Sequence, residues 1–378
     1  MISRKKITET ILILAIALSN LSQIPALFGN SLIKSGYTIA WILLFMMLLY
    51  VCSFKISIKH LILPIIFDVI CGIGLIWGQS YFSSALFTPI NMSAFILLIG
   101  IMMGKLADDE TLKRISIVYI ATSFIVGLVL LGSVFRGVDW SGSSVYVYGS
   151  KNSAAPFLLI GLILVAIIFY RNHKVIPFAL IVFYTVLICM MKSRATLISL
   201  VIFLLYFILG VVESKRERNF YIILLIVCVL LIIFQPNVNH LIVDEILLNN
   251  RSSDLATLSS GRDYHWYIFR TEFYNYLFMG TGGTYLESMP LAVLMSYGLL
   301  GGIPVLLFAI KPLCYAIKER KSKKYHLYTV LVISISLTML INSIFEEQAP
   351  FGPGVKCYFL WLICGLYIGK KKHDNQNV

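Results

Sequence analysis

Two apolar stretches separated by a short basic segment decide the fold of this chain. AAPFLLIGLILVAIIFY (154–170) is followed by RNHK (171–174), and VIPFALIVFYTVLICMM (175–191) is followed by KSR (192–194). A transmembrane helix needs about 20 predominantly apolar residues, because each residue adds about 1.5 Å along a hydrocarbon core about 30 Å thick. Both stretches approach that length, and the polar breaks leave room only for turns. We therefore predict two consecutive antiparallel membrane helices here.

The same pattern repeats along the whole chain. Of its 378 residues 59% are hydrophobic and 13% charged, whereas soluble globular domains have about 25% charged residues. The first apolar run lacks a small-residue cleavage site, which favours a retained span over a signal peptide. The pattern predicts an all-α integral membrane protein, a single polytopic domain over 1–378 with about twelve transmembrane helices. We place these at 7–28, 37–54, 60–78, 84–104, 115–135, 154–170, 175–191, 195–212, 220–235, 289–310, 325–345 and 353–369.

Lysine and arginine predict the orientation of the bundle, since cytoplasmic loops carry an excess of both. With both termini in the cytoplasm, most of the 31 basic residues lie on the cytoplasmic side. This topology explains the net charge of +13 without a nucleic-acid partner. The basic residues that remain on the outer side are Lys34, Arg136, Lys151, Lys192, Arg194, Arg251, Arg262, Arg270 and Lys356.

One outer loop is large enough to be a small subdomain. It runs from 236 to 288 between the ninth and tenth spans and is rich in aromatic residues. Loops of this length are usually functional or disordered, and helix signals within this one favour an ordered extracytoplasmic subdomain. None of the seven cysteines falls in it, so we expect neither a disulfide framework nor a thiol metal site there.

Two of the outer basic residues lie in a hairpin too short to leave the membrane surface. Lys192 and Arg194 flank Ser193 between two apolar spans, so their side chains must lie at the mouth of the bundle. A charge in that reduced dielectric needs an anionic partner, which is either a bound substrate or a lipid headgroup. For Lys34 and Lys356 we expect ordinary solvation.

The segment SSGRDYHWYIFR (259–270) carries the strongest local signal for a binding site. Ser259 or Ser260 can cap a helix that has Asp263 in its first turn. Residues four apart lie on one side of a helix, and here these are Arg262, Trp266, Arg270 and Tyr274. Guanidinium groups grip phosphate oxygens and an aromatic ring stacks on a sugar, so the face suits a phosphorylated glycan. The alternative is an amphipathic helix lying at the membrane interface.

The acidic residues and one histidine provide candidates for a general base. Glu287 stands at the membrane boundary before the tenth span, where it could act as a base or interact with the helix dipole. His265 is a second candidate for the base, although a lone histidine beside aromatic residues more often has a structural role. Asp68 lies within the third span and suits either proton-coupled transport or a structural hydrogen bond. We expect Glu346 and Glu347 to be a solvated outer pair.

The segment GTGGT (280–284) is glycine-rich but lacks the Lys-Ser/Thr pair of a nucleotide-binding P-loop. We interpret it as a flexible turn leading into the tenth span. The sequence shows no nucleotide-sugar motif and no grouping of metal ligands, so we predict neither a metal nor a cofactor.

Four features in this order resemble the O-antigen polymerase and ligase superfamily, specifically the Wzy-type polysaccharide polymerases. The resemblance covers roughly residues 145–305. The features are GSKN (149–152) before the sixth span, Ser193-Arg194 at the eighth, Ser260-Gly-Arg262 with Trp266, and GTGG (280–283) with LMSYGLLG (294–301). Many members of the ligase branch carry a histidine where this chain has Glu287-Ser288.

The resemblance implies a metal-independent glycosyltransferase in the bacterial inner membrane. Such an enzyme moves a growing glycan from undecaprenyl pyrophosphate onto the next lipid-linked repeat unit, on the outer face. It would work among membrane lipids, with a flippase and a chain-length regulator as further partners. We assign catalysis to Arg194, Arg262, Arg270 and Glu287, and substrate binding to Lys151, Asn152, Lys192, His265 and Trp266. A lipid-linked oligosaccharide flippase or another transporter, and an O-antigen ligase, are the alternatives.

Overall fold

The computed structural model of the chain describes residues 4–52, 58–78, 80–138, 140, 146–147, 150–170, 175–247, 261–319 and 323–376. Within these ranges the regular structure is helical, without strands. The helices of 11 residues or more are α1 Arg4–Leu21, α2 Ser31–Val51, α3 Ile62–Gly74, α4 Phe87–Met103, α5 Asp109–Val134, α6 Lys151–Ile168, α7 Val175–Met190, α8 Arg194–Tyr206, α9 Lys215–Phe234, α10 Arg262–Glu272, α11 Met289–Lys318, α12 His326–Phe345 and α13 Tyr358–Gln376.

Each of the twelve predicted spans overlaps one of these helices, and α10 is the additional helix of the large loop. Six helices within the described ranges are long and apolar enough to cross a membrane. They are α2, α5, α6, α11, α12, and α8 together with the π-helical turn Phe207–Val211. The chain is therefore all-helical, with several helices of the length and apolarity of membrane spans.

The other helices fall short of that standard for different reasons. Helices α3, α4 and α7 are apolar but have fewer than 18 residues. Helix α9 adds a seventh span only if it is counted with Pro236–Glu245, from which it is bent by 96°. Helices α1 and α13 have apolar centres but carry basic residues at one end. Six helices of the described residues thus satisfy the length and apolarity of a membrane span, and the count of twelve spans stays a prediction.

Two buried helices form the centre of the bundle. Helix α13 packs along α4, and α6 packs among α5, α7 and α12. Almost every residue of α6 is buried. Beside α13, the rings of Phe308 and Phe351 stack on Trp361, with ring centroids 4.4 and 5.5 Å from the indole. The hydrophobic core is therefore continuous through the middle of the bundle.

Helices α4 and α13 approach each other along paired glycines. Gly100 on α4 and Gly104 directly after that helix face Gly365 and Gly369 on α13. A Cβ added at Gly365 would lie 2.4 Å from the carbonyl oxygen of Leu97, closer than atoms can pack. Small residues four apart let two helix backbones touch, a recurrent solution in membrane bundles.

The start of α1 and the end of α13 lie at the same end of the bundle. Lys5 of α1 forms an ion pair with Asp108, and Lys370 of α13 pairs with the neighbouring Asp109. Glu9 is buried and accepts a hydrogen bond from Arg114 at 3.1 Å. Lys5, Arg114 and Lys370 at this end are among the basic residues that the sequence predicts to be cytoplasmic.

Helix α11 is broken at Gly298, which has a φ of +63° inside the helix. The break exposes backbone groups that bond to the segment before the helix: Thr281 N donates to Met295 O at 2.8 Å, and Gly282 N to Ser296 O at 2.9 Å. In return Leu299 N donates to Leu277 O at 2.8 Å. The prediction of a flexible turn at 280–284 is therefore wrong, because the broken helix holds that segment in place.

Candidate functional site

The candidate site lies at the end of the bundle opposite the termini, where α6, α8, α10 and α11 begin and α12 ends. Six polar side chains meet here, and we call them the polar cluster: Asn152, Ser193, Arg262, Glu287, Glu346 and Lys356. They come from segments separated by up to about 200 positions, for example Asn152 and Lys356. Tertiary packing alone brings them together.

Asn152 is the centre of this network. Its side-chain amide donates to Glu346 Oε1, and its side-chain oxygen accepts from Ser193 Oγ at 2.8 Å. Its backbone carbonyl accepts from Lys356 Nζ at 3.0 Å. Ser193 stands at the N-cap of α8 but makes no capping bond to the backbone, because its hydroxyl is used by Asn152 and Thr196. One asparagine thus ties together four parts of the chain.

Lys356 is fully buried, which corrects the expectation that it is solvated. Lys34 is exposed, as predicted. A buried ammonium group is costly unless hydrogen bonds and opposite charge compensate it. The Asn152 carbonyl provides the hydrogen bond, and the nearby Glu346 carboxylate provides the charge.

Arg262 is the first residue of α10, and its side chain is 22% exposed. Its Nη2 lies 3.2 Å from Glu287 Oε2 and donates to the backbone carbonyl of Phe345 at 3.0 Å. The guanidinium also lies over the Phe345 ring, 5.7 Å from its centroid. These contacts fix one cation between the start of α11 and the end of α12.

The N-cap of α10 differs from the prediction. The structure places Gly261 there, with a φ of +81° and no side-chain capping bond. Ser259 and Ser260, the predicted caps, lie outside the described residues. Asp263 is in the first turn, as predicted.

The outer face of α10 carries the remaining predicted binding residues. Trp266 is 53% exposed, and Arg270 is also exposed. Because an α-helix turns once in 3.6 residues, a step of four residues goes slightly beyond one full turn. The side chains of Arg262, Trp266 and Arg270 therefore rotate progressively away from the bundle. Arg262, His265 and Phe269 are partly buried instead. Only Arg262 of the predicted face therefore belongs to the polar cluster.

The two carboxylates after α12 are not solvated, which corrects a further expectation. Glu346 and Glu347 are both partly buried. Burial raises the pKa of Glu346, although Lys356 and Arg262 act to lower it. Burial raises the pKa of Glu347 to about 7, and the negative charge of Glu346 adds to that effect. A carboxyl group with such a pKa can exchange a proton near neutral pH.

Glu287, the predicted base, contacts a tyrosine as well as Arg262. The Tyr285 hydroxyl donates to Glu287 Oε1 at 3.4 Å. Burial raises the pKa of Tyr285 to about 12, with further contributions from Glu287 and its neighbouring carboxylates. His265 packs edge-on against the Tyr285 ring at 5.8 Å. Its Nδ1 is buried without a hydrogen-bond partner among the described residues.

The remaining predicted residues lie at the same end of the bundle. Lys151 and Arg194 are the first residues of α6 and α8, and each is partly buried. Lys192 adopts a left-handed backbone conformation, with a φ of +52°, in the tight turn before α8. Lys151 adjoins Asn152, and Arg194 adjoins Ser193, so both flank the polar cluster.

A cavity of about 520 Å³ opens beside the polar cluster. One wall is the loop that carries Ser80, Ser83 and Ser84, and the other is the segment 281–285. Glu347 lies between them. Within the described part of the chain, no group of three His, Cys, Asp or Glu side chains is placed to hold a metal ion.

No family model and no curated protein matches this chain.

Of the polar cluster, Arg262, Glu287 and Asn152 are site residues that the sequence predicts, whereas Glu346 and Lys356 are not, and neither is the adjacent Glu347. One signal was present: a glutamate pair and a lysine within EEQAPFGPGVK (346–356), directly between two apolar helices. A segment that short keeps its charges close to the end of the bundle.

Proposed function

We propose that the protein is a polysaccharide polymerase that joins lipid-linked oligosaccharide repeat units. The donor is a glycan on undecaprenyl pyrophosphate, and the acceptor is a hydroxyl group of the next lipid-linked unit. The reaction takes place at the outer face of a bacterial inner membrane. The chain then has about twelve spans with both termini in the cytoplasm, and the loop 236–288 is extracytoplasmic. A flippase and a chain-length regulator are its expected partners.

The position of Arg262 carries this proposal. The guanidinium is held between a carboxylate and a backbone carbonyl at the point where several helices begin. The N-terminal ends of α6, α8 and α11 add partial positive charge at the same place. A pyrophosphate leaving group develops negative charge but needs no proton, so the main task of the protein is to stabilise that charge. Cations held in place at the starts of helices can stabilise that negative charge.

The other assigned residues have places consistent with these roles. Lys151, Lys192 and Arg194 flank the polar cluster and add positive charge near the leaving group. The exposed Trp266 and Arg270 on α10 offer an aromatic face and a cation to an incoming glycan chain. Glu287 and His265 remain candidates for the base that activates the acceptor hydroxyl.

A transporter is the second candidate, since a lipid-linked oligosaccharide flippase would have a similar number of spans. Transporters place their charged groups deep in the bundle, near the membrane midplane. Here Asp68 on α3 accepts a hydrogen bond from Asn91 on α4 at 3.0 Å, which gives it a structural partner. The polar cluster lies at the bundle end instead, which favours chemistry at the surface. An O-antigen ligase is less favoured, because many members of the ligase branch carry a histidine at the position where this chain has Glu287-Ser288.

The test replaces Arg262 in a strain that lacks the chromosomal gene. With Arg262→Ala we expect the surface-glycan ladder to collapse to single repeat units while the protein inserts normally. Arg262→Lys keeps the charge but loses the planar fork, so we expect only partial rescue. Lys34→Ala is the matched control, because it removes an exposed cation predicted to lie on the same side.

Two results would oppose the proposal. A normal ladder with Arg262→Ala would remove this residue from catalysis. Accumulation of lipid-linked units on the cytoplasmic face in the deletion strain would favour the flippase.

A further inference from the structure

The cavity beside the polar cluster has an unusual lining for a site next to so many cations. Its described lining residues include hydroxyl groups of Ser80, Ser83, Ser84, Thr281 and Thr284, and the Glu347 carboxylate, but no Lys, Arg or His. Its volume of about 520 Å³ lies within the range of about 300–1,000 Å³ typical of small-ligand sites. A lining of hydroxyls with one carboxylate suits a neutral polyhydroxylated ligand and disfavours a phosphate.

This cavity adjoins the cationic part of the site. Tyr285 is part of the cavity wall, and its hydroxyl reaches Glu287 at 3.4 Å. Glu287 in turn lies 3.2 Å from Arg262. A neutral sugar in the cavity would therefore lie next to a phosphorylated sugar held at Arg262.

The cavity walls are fixed by contacts outside the cavity itself. The backbone amides of Thr281 and Gly282 donate to backbone carbonyls of α11 at its break, and the amide of Thr284 donates to the Ser296 hydroxyl. The Tyr81 hydroxyl, from the opposite wall, donates to the carbonyl of Met279. The two loops are thereby tied to each other, so the cavity is preformed.

Glu347 is the ionisable group best placed to act within this cavity. Its pKa of about 7 results from burial and from the adjacent Glu346. Tyr285 also faces it, while Arg262 and Lys356 act on Glu346. Glu287, by contrast, is in an ion pair with Arg262 and is not part of the cavity lining.

We propose that the cavity binds the acceptor sugar of a lipid-linked repeat unit and that the Glu347 carboxylate takes the proton from its attacking hydroxyl. This rests on the proposed polymerase function. The acceptor oxygen forms a bond to C1 of the donor sugar, and the C1–O bond to the pyrophosphate breaks. The bonding electron pair leaves with the lipid pyrophosphate, and the hydroxyl proton passes to Glu347 and then to solvent.

The experiment uses the full chain in lipid nanodiscs, with lipid-linked repeat units extracted from the deletion strain. We expect Glu347→Gln to lower the polymerisation rate by about 100-fold or more, the usual contribution of a general base. The wild-type rate should rise with pH through about 7, because the base must be ionised. That rise should vanish in Glu347→Gln, and Glu347→Asp should recover part of the rate. Glu272→Gln, an exposed residue of α10, is the matched control.

A second variant tests the cavity without touching the carboxylate. Ser80 is exposed at the cavity wall, so Ser80→Trp fills the space with little cost to folding. We expect it to raise the acceptor KM by about 10-fold or more, in keeping with a displaced ligand rather than a lost base.

The outcomes separate the two proposals. If Arg262→Ala is inactive while Glu347→Gln keeps at least a third of the wild-type rate and its pH dependence, the role of Glu347 is overturned and the polymerase stands. An unchanged KM in Ser80→Trp overturns the acceptor site. If folded wild-type protein does not polymerise the extracted units, the proposed function fails, and the acceptor site fails with it.

Discussion

Replacing Asn152 with leucine tests whether the polar cluster holds the outer end of the bundle together. The change keeps the number and branching of the side-chain heavy atoms but removes the hydrogen bonds to Glu346 and Ser193. The Lys356 bond to the backbone carbonyl remains. A hydrogen bond to a charged group contributes about 1.5–3 kcal/mol, and one between neutral groups about 0.5–1.5 kcal/mol. We therefore expect a loss of about 2–4.5 kcal/mol in the free energy of unfolding.

The assay is denaturant-induced unfolding of purified protein in mild detergent, followed by intrinsic fluorescence. Asn275→Leu is the matched control, because Asn275 is exposed in the turn after α10, and such a change should stay within about 0.5 kcal/mol. Ser193→Ala adds a double-mutant cycle. Since Ser193 and Asn152 share one bond, the two losses should be less than additive.

A different result would refute this reasoning. If Asn152→Leu unfolds within about 0.5 kcal/mol of the wild type, the network does not stabilise the bundle. Full additivity with Ser193→Ala would show that the bond between them contributes nothing measurable.

Two further predictions concern the bundle itself. Gly365→Ala should destabilise the protein by about 1–3 kcal/mol, because its Cβ would lie 2.4 Å from the Leu97 carbonyl oxygen and force α4 and α13 apart. Thermal unfolding measures this loss, with Gly72→Ala as the control, since a Cβ at Gly72 would meet no neighbouring helix within 4 Å. Equal losses in the two variants would contradict the close contact. The basic end of the bundle is predicted to be cytoplasmic. A fluorescent protein fused to the C-terminus should therefore fluoresce in living cells, and an alkaline phosphatase reporter, which is active only in the periplasm, should stay inactive at the same position. Active phosphatase would show that the predicted orientation is wrong.

Local composition was enough to predict the helices. Every predicted span overlaps a helix, since a run of apolar residues near the length of a bilayer crossing has few alternatives to helix. The boundaries shifted where polar residues extend a helix, as Lys215 to Arg218 do at the start of α9. The break of α11 was not predicted. A glycine within an apolar run is common, and only the approach of Phe278 and its neighbours requires the left-handed backbone at Gly298.

The candidate site was predictable only in part. Arg262 and Glu287 drew attention as charges near a membrane boundary, but their contact at 3.2 Å joins residues from two different segments. Glu346, Glu347 and Lys356 looked like ordinary loop charges. Their burial depends on how the short segment after α12 folds back against the starts of α6 and α8, which the position of these charges between two apolar helices indicates only in part.

The sequence by itself determined the all-helical class, the positions of the apolar segments and the asymmetry of basic residues between the two ends. Each of these follows from residues that are neighbours in the chain, because helix formation and membrane partition depend on local composition. Only the tertiary structure decided which charges are buried and which meet. Asn152, Arg262 and Glu347 acquire their chemistry from partners far away in sequence, since desolvation and charge interactions depend on distance in space.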